Sequence, residues 1–232
     1  MVDEVIMESE VKINGKTEFL TRLLSSFMFV PVITLIFVLP YWAFCVLCMS
    51  VYLIMAHEIL FPGVKGHALL RAGALLFIFC GMAAFMYCRK NFGALGCGFL
   101  ICISSLTDTG GYLVGKAVGG VKMCPKISPK KTWSGLIGGI IFANTGVYFL
   151  KDILFKVRDD GAYLASWAGT FFIIQLLIAA SVVGDLLESS FKRKINVKDV
   201  GHLLPGHGGL LDRLDSLLFA SIILVLIDMI IR

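Results

Sequence analysis

Acids and bases are interleaved through residues 184–215, GDLLESSFKRKINVKDVGHLLPGHGGLLDRLD. Asp185, Glu188, Ser189 and Lys192 recur at three- and four-residue spacing, which on a helix puts them on one side. Lys192, Arg193, Lys194 and Lys198 place four bases within seven positions, and Asp199 follows. Pro205-Gly206-His207-Gly208-Gly209 is too flexible for helix and leaves backbone N–H groups open to close approach. Asp212 and Asp215 close the segment. Carboxylates among cations suit a polyphosphate held through a divalent metal. Bare carboxylates repel a triphosphate, Mg²⁺ bridges the two, and Lys and Arg neutralise the remaining charge. A loop that is basic only to fix membrane topology needs neither the acids nor the Gly-His-Gly-Gly turn.

A second polar stretch begins where Asp108, between Thr107 and Thr109, ends an apolar run. Gly110, Gly111, Gly115, Gly119 and Gly120 follow, with Lys116, Lys122, Lys126, Lys130 and Lys131. The composition reads as a phosphate-binding turn, although neither G-x-x-x-x-G-K-[ST] nor G-x-G-x-x-G is present. Alone, it is equally a topological loop; facing residues 185–215 it becomes a second wall. Other polar residues read more plainly. His57-Glu58 is a helix-end pair, and His67 and His202 lack ligand partners at metal spacing. Trp133, Tyr148 and Trp167 are interfacial anchors, and Asp228 reaches water beside Arg232.

These residues need a scaffold, and the rest of the chain supplies apolar helices. Of 232 residues, 58% are hydrophobic and 16% charged, with a mean hydropathy of +0.88. A water-soluble domain averages about half apolar and about a quarter charged, so the solvent here is partly lipid. Residues 23–56 contain no charge. As one helix they would measure about 51 Å against a hydrocarbon core of about 30 Å, so Pro40 is expected to split them into two spans. Apolar runs at 68–87, 92–108, 134–150, 162–184 and 214–231 bring the count to seven. The expectation is an all-α polytopic membrane bundle of about seven transmembrane helices with a cytoplasmic N-terminus. Residues 1–22 form a cytoplasmic or interfacial arm and 23–232 a single transmembrane catalytic domain. Asp3, Glu4, Glu8 and Glu10 speak against a cleaved signal peptide.

In this topology, 15 of the 21 Lys and Arg fall on cytoplasmic segments and 6 outside, as the positive-inside tendency requires. The two polar stretches, 109–133 and 185–213, then share the cytoplasmic face. A net charge of +5 gives no case for nucleic acid. The seven cysteines, including the Cys45-x-x-Cys48 pair, read as small apolar side chains.

The segment 189–215 resembles the signature of the phosphatidate cytidylyltransferase (CDP-diacylglycerol synthase) family. Ser189, Lys192-Arg193, Lys198-Asp199, Gly201, Pro205, His207-Gly208-Gly209, Asp212-Arg213 and Asp215 all stand at that pattern's spacing. The residues from Thr107 to Tyr112 and from Ser128 to Gly135 are similar to two further family motifs, with Gly111 for the usual Ala and Ser134 for the usual Glu or Gln. The resemblance implies transfer of CMP from CTP to phosphatidate in the membrane, giving CDP-diacylglycerol and pyrophosphate, with Mg²⁺ as cofactor. A second cation and a homodimer stay open. It implies catalytic work by Asp185, Lys192, Arg193, Lys198, Asp199, His207, Asp212 and Asp215. Substrate binding falls to Asp108, Lys130, Lys131, Ser189, Gly208, Gly209 and Arg213, and metal binding to Asp185, Glu188, Asp212 and Asp215. The alternatives are a CTP-dependent polyprenol or phytol kinase and, from another class, a transporter with charged gates. A transporter would place polar residues in mid-span, where this chain has almost none.

Overall fold

The computed structural model describes residues 29–60, 68–154, 167–195, 197 and 209–232. The N-terminal arm and Lys198, Asp199, His207 and Gly208 lie outside these residues. The described elements are α1 (Phe29–Val38), α2 (Tyr41–Leu60), α3 (Ala68–Val118), β1 (Lys122–Cys124), β2 (Ser128–Thr132), α4 (Trp133–Leu154), α5 (Trp167–Lys194) and α6 (Leu211–Ile231).

Pro40 separates α1 from α2 as expected. It has no N–H to continue α1, while its carbonyl accepts the Phe44 N–H at 3.0 Å and opens α2. Arg89 Nη2 donates to the Leu39 carbonyl at 3.1 Å and so caps the end of α1.

The 51 residues of α3 do not form one straight rod. Gly93 takes φ 71° and ψ −169°, a conformation open to glycine and closed to helix. Cys97 Sγ lies 3.9 Å from the Phe85 carbonyl, although twelve residues of straight helix would separate them by about 18 Å. The chain therefore folds back at Gly93 into two arms, 68–92 and 94–118, matching the two apolar runs read there.

Among the described residues, four helices are long and apolar enough to cross a membrane: α2, α3, residues 169–194 of α5, and α6. Phe44, Met55, Ile78, Leu100, Leu177 and Leu218 are fully enclosed between helices, whereas Trp42, Leu69, Phe149 and Ile230 face outward. An apolar exterior of this kind is costly in water and costs nothing in hydrocarbon. Asn144 and Gln175 pair their amides at 2.8 and 3.4 Å between α4 and α5, within runs that read as nearly free of polar groups. All seven cysteines are free thiols.

Two features correct the sequence reading. The chain from Thr109 to Val118 is helix rather than loop, and Gly110 serves packing rather than an open turn. A Cβ on Gly110 would sit 2.7 Å from the Gly138 carbonyl, and one on Gly135 would sit 2.7 Å from that of Gly111. Backbone thus meets backbone between the second arm of α3 and α4. The remainder of the stretch is a short antiparallel hairpin, β1–β2, set into an otherwise helical chain.

Candidate active site

Where α5 meets α6, a Cβ on Gly184 would lie 2.7 Å from the Asp215 carbonyl, so only glycine allows this approach. Asp185, the next residue, therefore stands beside Asp215. Single carboxylate oxygens from Asp185, Glu188 and Asp215 all lie within 4.8 Å of one another. Glu188 is 4% exposed and Asp215 6%. Three charged carboxylates this close in a poorly hydrated setting repel strongly unless a proton or a cation stands among them. Among the described residues, Glu188 Oε1 is buried without a hydrogen-bond partner. A buried oxygen of this kind needs an explanation, and an all-oxygen donor set matches the preference of Mg²⁺ or Ca²⁺. The cluster thus fits a hard divalent cation.

Cations surround the acids. Lys192 Nζ bridges α5 and α6, lying 2.6 Å from Glu188 Oε2 and 3.2 Å from Asp212 Oδ1. Lys131 Nζ, from β2, lies 2.6 Å from Asp185 Oδ2. Ser189 Oγ donates to Asp185 Oδ1 at 3.3 Å, and the Gly209 N–H donates to Asp212 Oδ2 at 2.8 Å. Asp108 on α3 accepts from Ser216 Oγ at 3.3 Å, while the Ser216 N–H holds Asp215 Oδ1 at 2.8 Å.

The acids, Lys131 and Lys192 line one cavity of about 380 Å³, within the ~300–1,000 Å³ common for small-molecule sites. Asp108, Asp185, Glu188, Asp212 and Asp215 line it together with Lys130, Lys131, Lys192 and Arg213. The floor is apolar, with Leu136, Gly139 and Val182. Residues of the two polar stretches, far apart along the chain, therefore line one space.

The hairpin wall has its own supports. Thr132 Oγ1 accepts the Gly135 N–H at 3.1 Å and caps α4, and it shares a hydrogen bond with Ser134 Oγ, which donates in turn to the Gly119 carbonyl. Arg193, read from sequence with the phosphate clamp, instead donates through Nε to the Ile127 carbonyl at 3.2 Å and ties α5 to the hairpin turn. It does not line the cavity. Ser189 and Gly209 also stay behind the wall, acting on Asp185 and Asp212.

Glu58 was missed as a contributor. It is buried at the end of α2 and accepts the Leu210 N–H on both oxygens at 2.9 Å and the Leu211 N–H at 3.2 Å. A helix-end acid was legible in the sequence, but its partners on a distant helix were not. Asp228 also departs from expectation. It is 1% exposed and bonded to Tyr87 Oη and Arg232 Nε, both at 2.8 Å, rather than open to water.

A profile described as the cytidylyltransferase family matches residues 63–230, more than half of the chain. The phosphatidate cytidylyltransferase of Rickettsia conorii is 42% identical over 125 residues, which cover 54% of this chain and 54% of that protein. The phosphatidate cytidylyltransferase of Brucella melitensis is 42% identical over 137 residues, 59% of this chain and 48% of that protein. The match thus spans about half the length of each relative.

Proposed function

Because the chain belongs to the cytidylyltransferase family, we propose that it transfers CMP from CTP to phosphatidate, giving CDP-diacylglycerol and pyrophosphate. The observation that carries this reading is the single cavity joining the acids of α5 and α6 to the lysines of the hairpin. Support also comes from relatives named phosphatidate cytidylyltransferase.

In this reaction a phosphate oxygen of phosphatidate attacks the α-phosphorus of CTP. The bond from that phosphorus to the bridging oxygen breaks, and pyrophosphate leaves with the electron pair. The attacking phosphate is already anionic, so no strong base is needed. The barrier lies in bringing two anions together and in stabilising the leaving group. Lys131 and Lys192 stand at the acid cluster, in reach of phosphate oxygens brought to it, and Lys130 and Arg213 extend the positive wall. Asp185, Glu188 and Asp215 would hold Mg²⁺, with Asp212 fixing Lys192 at the edge of the site. Bound there, the cation would neutralise triphosphate charge and orient the α-phosphorus. Asp108, bonded to Ser216 beside Asp215, faces the same space. The outward apolar belt suits a lipid whose tails remain in the bilayer. Seven spans with the cavity at the cytoplasmic face is the arrangement favoured by the distribution of Lys and Arg.

Labelled CTP tests the reading. Purified protein with phosphatidate is expected to carry the α-phosphate of CTP into the lipid and release the other two as pyrophosphate. Label from the γ-phosphate in the lipid would instead mark a kinase.

A further inference from the structure

We propose that Glu58 is a positioning residue, setting the first turn of α6 and thereby where Asp212 and Asp215 stand against Asp185 and Glu188. The inference rests on the metal reading given above. Glu58 precedes the stretch that matches the family profile. Helix α6 opens at Leu210, whose side chain cannot accept a hydrogen bond. The cap comes from α2 instead, 152 residues earlier in the chain, through both oxygens of one buried carboxylate.

A bidentate contact restrains more than a single hydrogen bond. Leu210 and Leu211 are held against the same group, so both the axial position and the rotation of the first turn are fixed. Asp212 is the next residue, and Asp215 lies one turn further on. A negative group at a helix N-terminus is also favoured by the helix dipole. A cation site tolerates errors of only about 0.5 Å in its ligands, so losing this restraint would loosen the cluster without removing any ligand.

Glu58→Gln keeps one acceptor oxygen and nearly the same shape, whereas Glu58→Ala keeps neither. The test uses the full chain in detergent, with Mn²⁺ as the probe cation followed by its free-ion paramagnetic resonance signal. Hydrogen exchange is measured on the first turn of α6. In Glu58→Gln the expected results are faster exchange at that turn and about tenfold weaker Mn²⁺ binding, the usual scale for losing a group that orients ligands. The Mg²⁺ concentration giving half-maximal activity should rise in parallel, with kcat at saturating Mg²⁺ largely restored. Glu58→Ala should weaken Mn²⁺ binding further; if it fails to fold, Glu58→Gln carries the test alone. Unchanged Mn²⁺ affinity alongside faster exchange would reduce Glu58 to a stabilising cap and overturn the proposal. Unchanged exchange would remove the cap itself. A wild-type protein that binds no Mn²⁺ would overturn the metal reading beneath it, a result distinct from the other two.

Discussion

Asp185, Glu188 and Asp215 bring ligand oxygens within 4.8 Å of one another, and the buried Glu188 Oε1 has no hydrogen-bond partner among the described residues. On that footing, Asp215→Asn should lower kcat on the order of 10²-fold or more in a pyrophosphate-release assay, because it removes a charge the reaction needs. Ser189→Ala should behave differently. It deletes one 3.3 Å hydrogen bond that only steadies Asp185, worth about 0.5–1.5 kcal/mol, so affinity for Mn²⁺ should fall by no more than about tenfold. The spacing of the acids on α5 and α6 was legible in the sequence because helical periodicity puts residues three and four apart on one side. The direction of Arg193 was not, since a base at the end of a basic run can turn to phosphate or to the hairpin. Nor was the role of Glu58, whose partners are backbone N–H groups that every residue except proline carries.

Between elements, glycine decides where the walls of the cavity stand. Gly184 permits the contact between α5 and α6, so a Cβ there must move the Asp215 backbone. Gly184→Ala should cost about 1–3 kcal/mol of stability, read as a lower melting temperature. Activity measured well below that temperature should fall as well, because Asp185 and Asp215 separate. Thr132→Val removes the cap of α4 and should cost about 0.5–2 kcal/mol, with a smaller effect on turnover than Gly184→Ala. Helices were legible as apolar runs, and Pro40 marked a break correctly. The glycines after Asp108 misled because a run rich in glycine and lysine has the composition of a loop. Only the facing glycines of α4, reached through the hairpin, show that the absent side chains serve close helix packing.

Taken as a whole, the bundle holds α6 at both ends by buried carboxylates. Glu58 accepts its first N–H groups, and Asp228 near its other end binds Tyr87 and Arg232. The helix carrying Asp212 and Asp215 is thus fastened at both ends to the elements around it, while apolar side chains face outward. The apolar excess made a membrane bundle legible from composition alone. The joining of Asp108 and Lys131 to Asp185 and Asp215 in one cavity was expected only from counting spans, and glycines let the helices around it approach closely. The most direct test of the account is pyrophosphate release from CTP by the purified chain in detergent, with phosphatidate and Mg²⁺ each present or omitted. The account predicts release only when both are present, abolition by EDTA, recovery with added Mg²⁺, and CDP-diacylglycerol equal to the pyrophosphate formed. Equal release without phosphatidate, or full activity in EDTA, would contradict it.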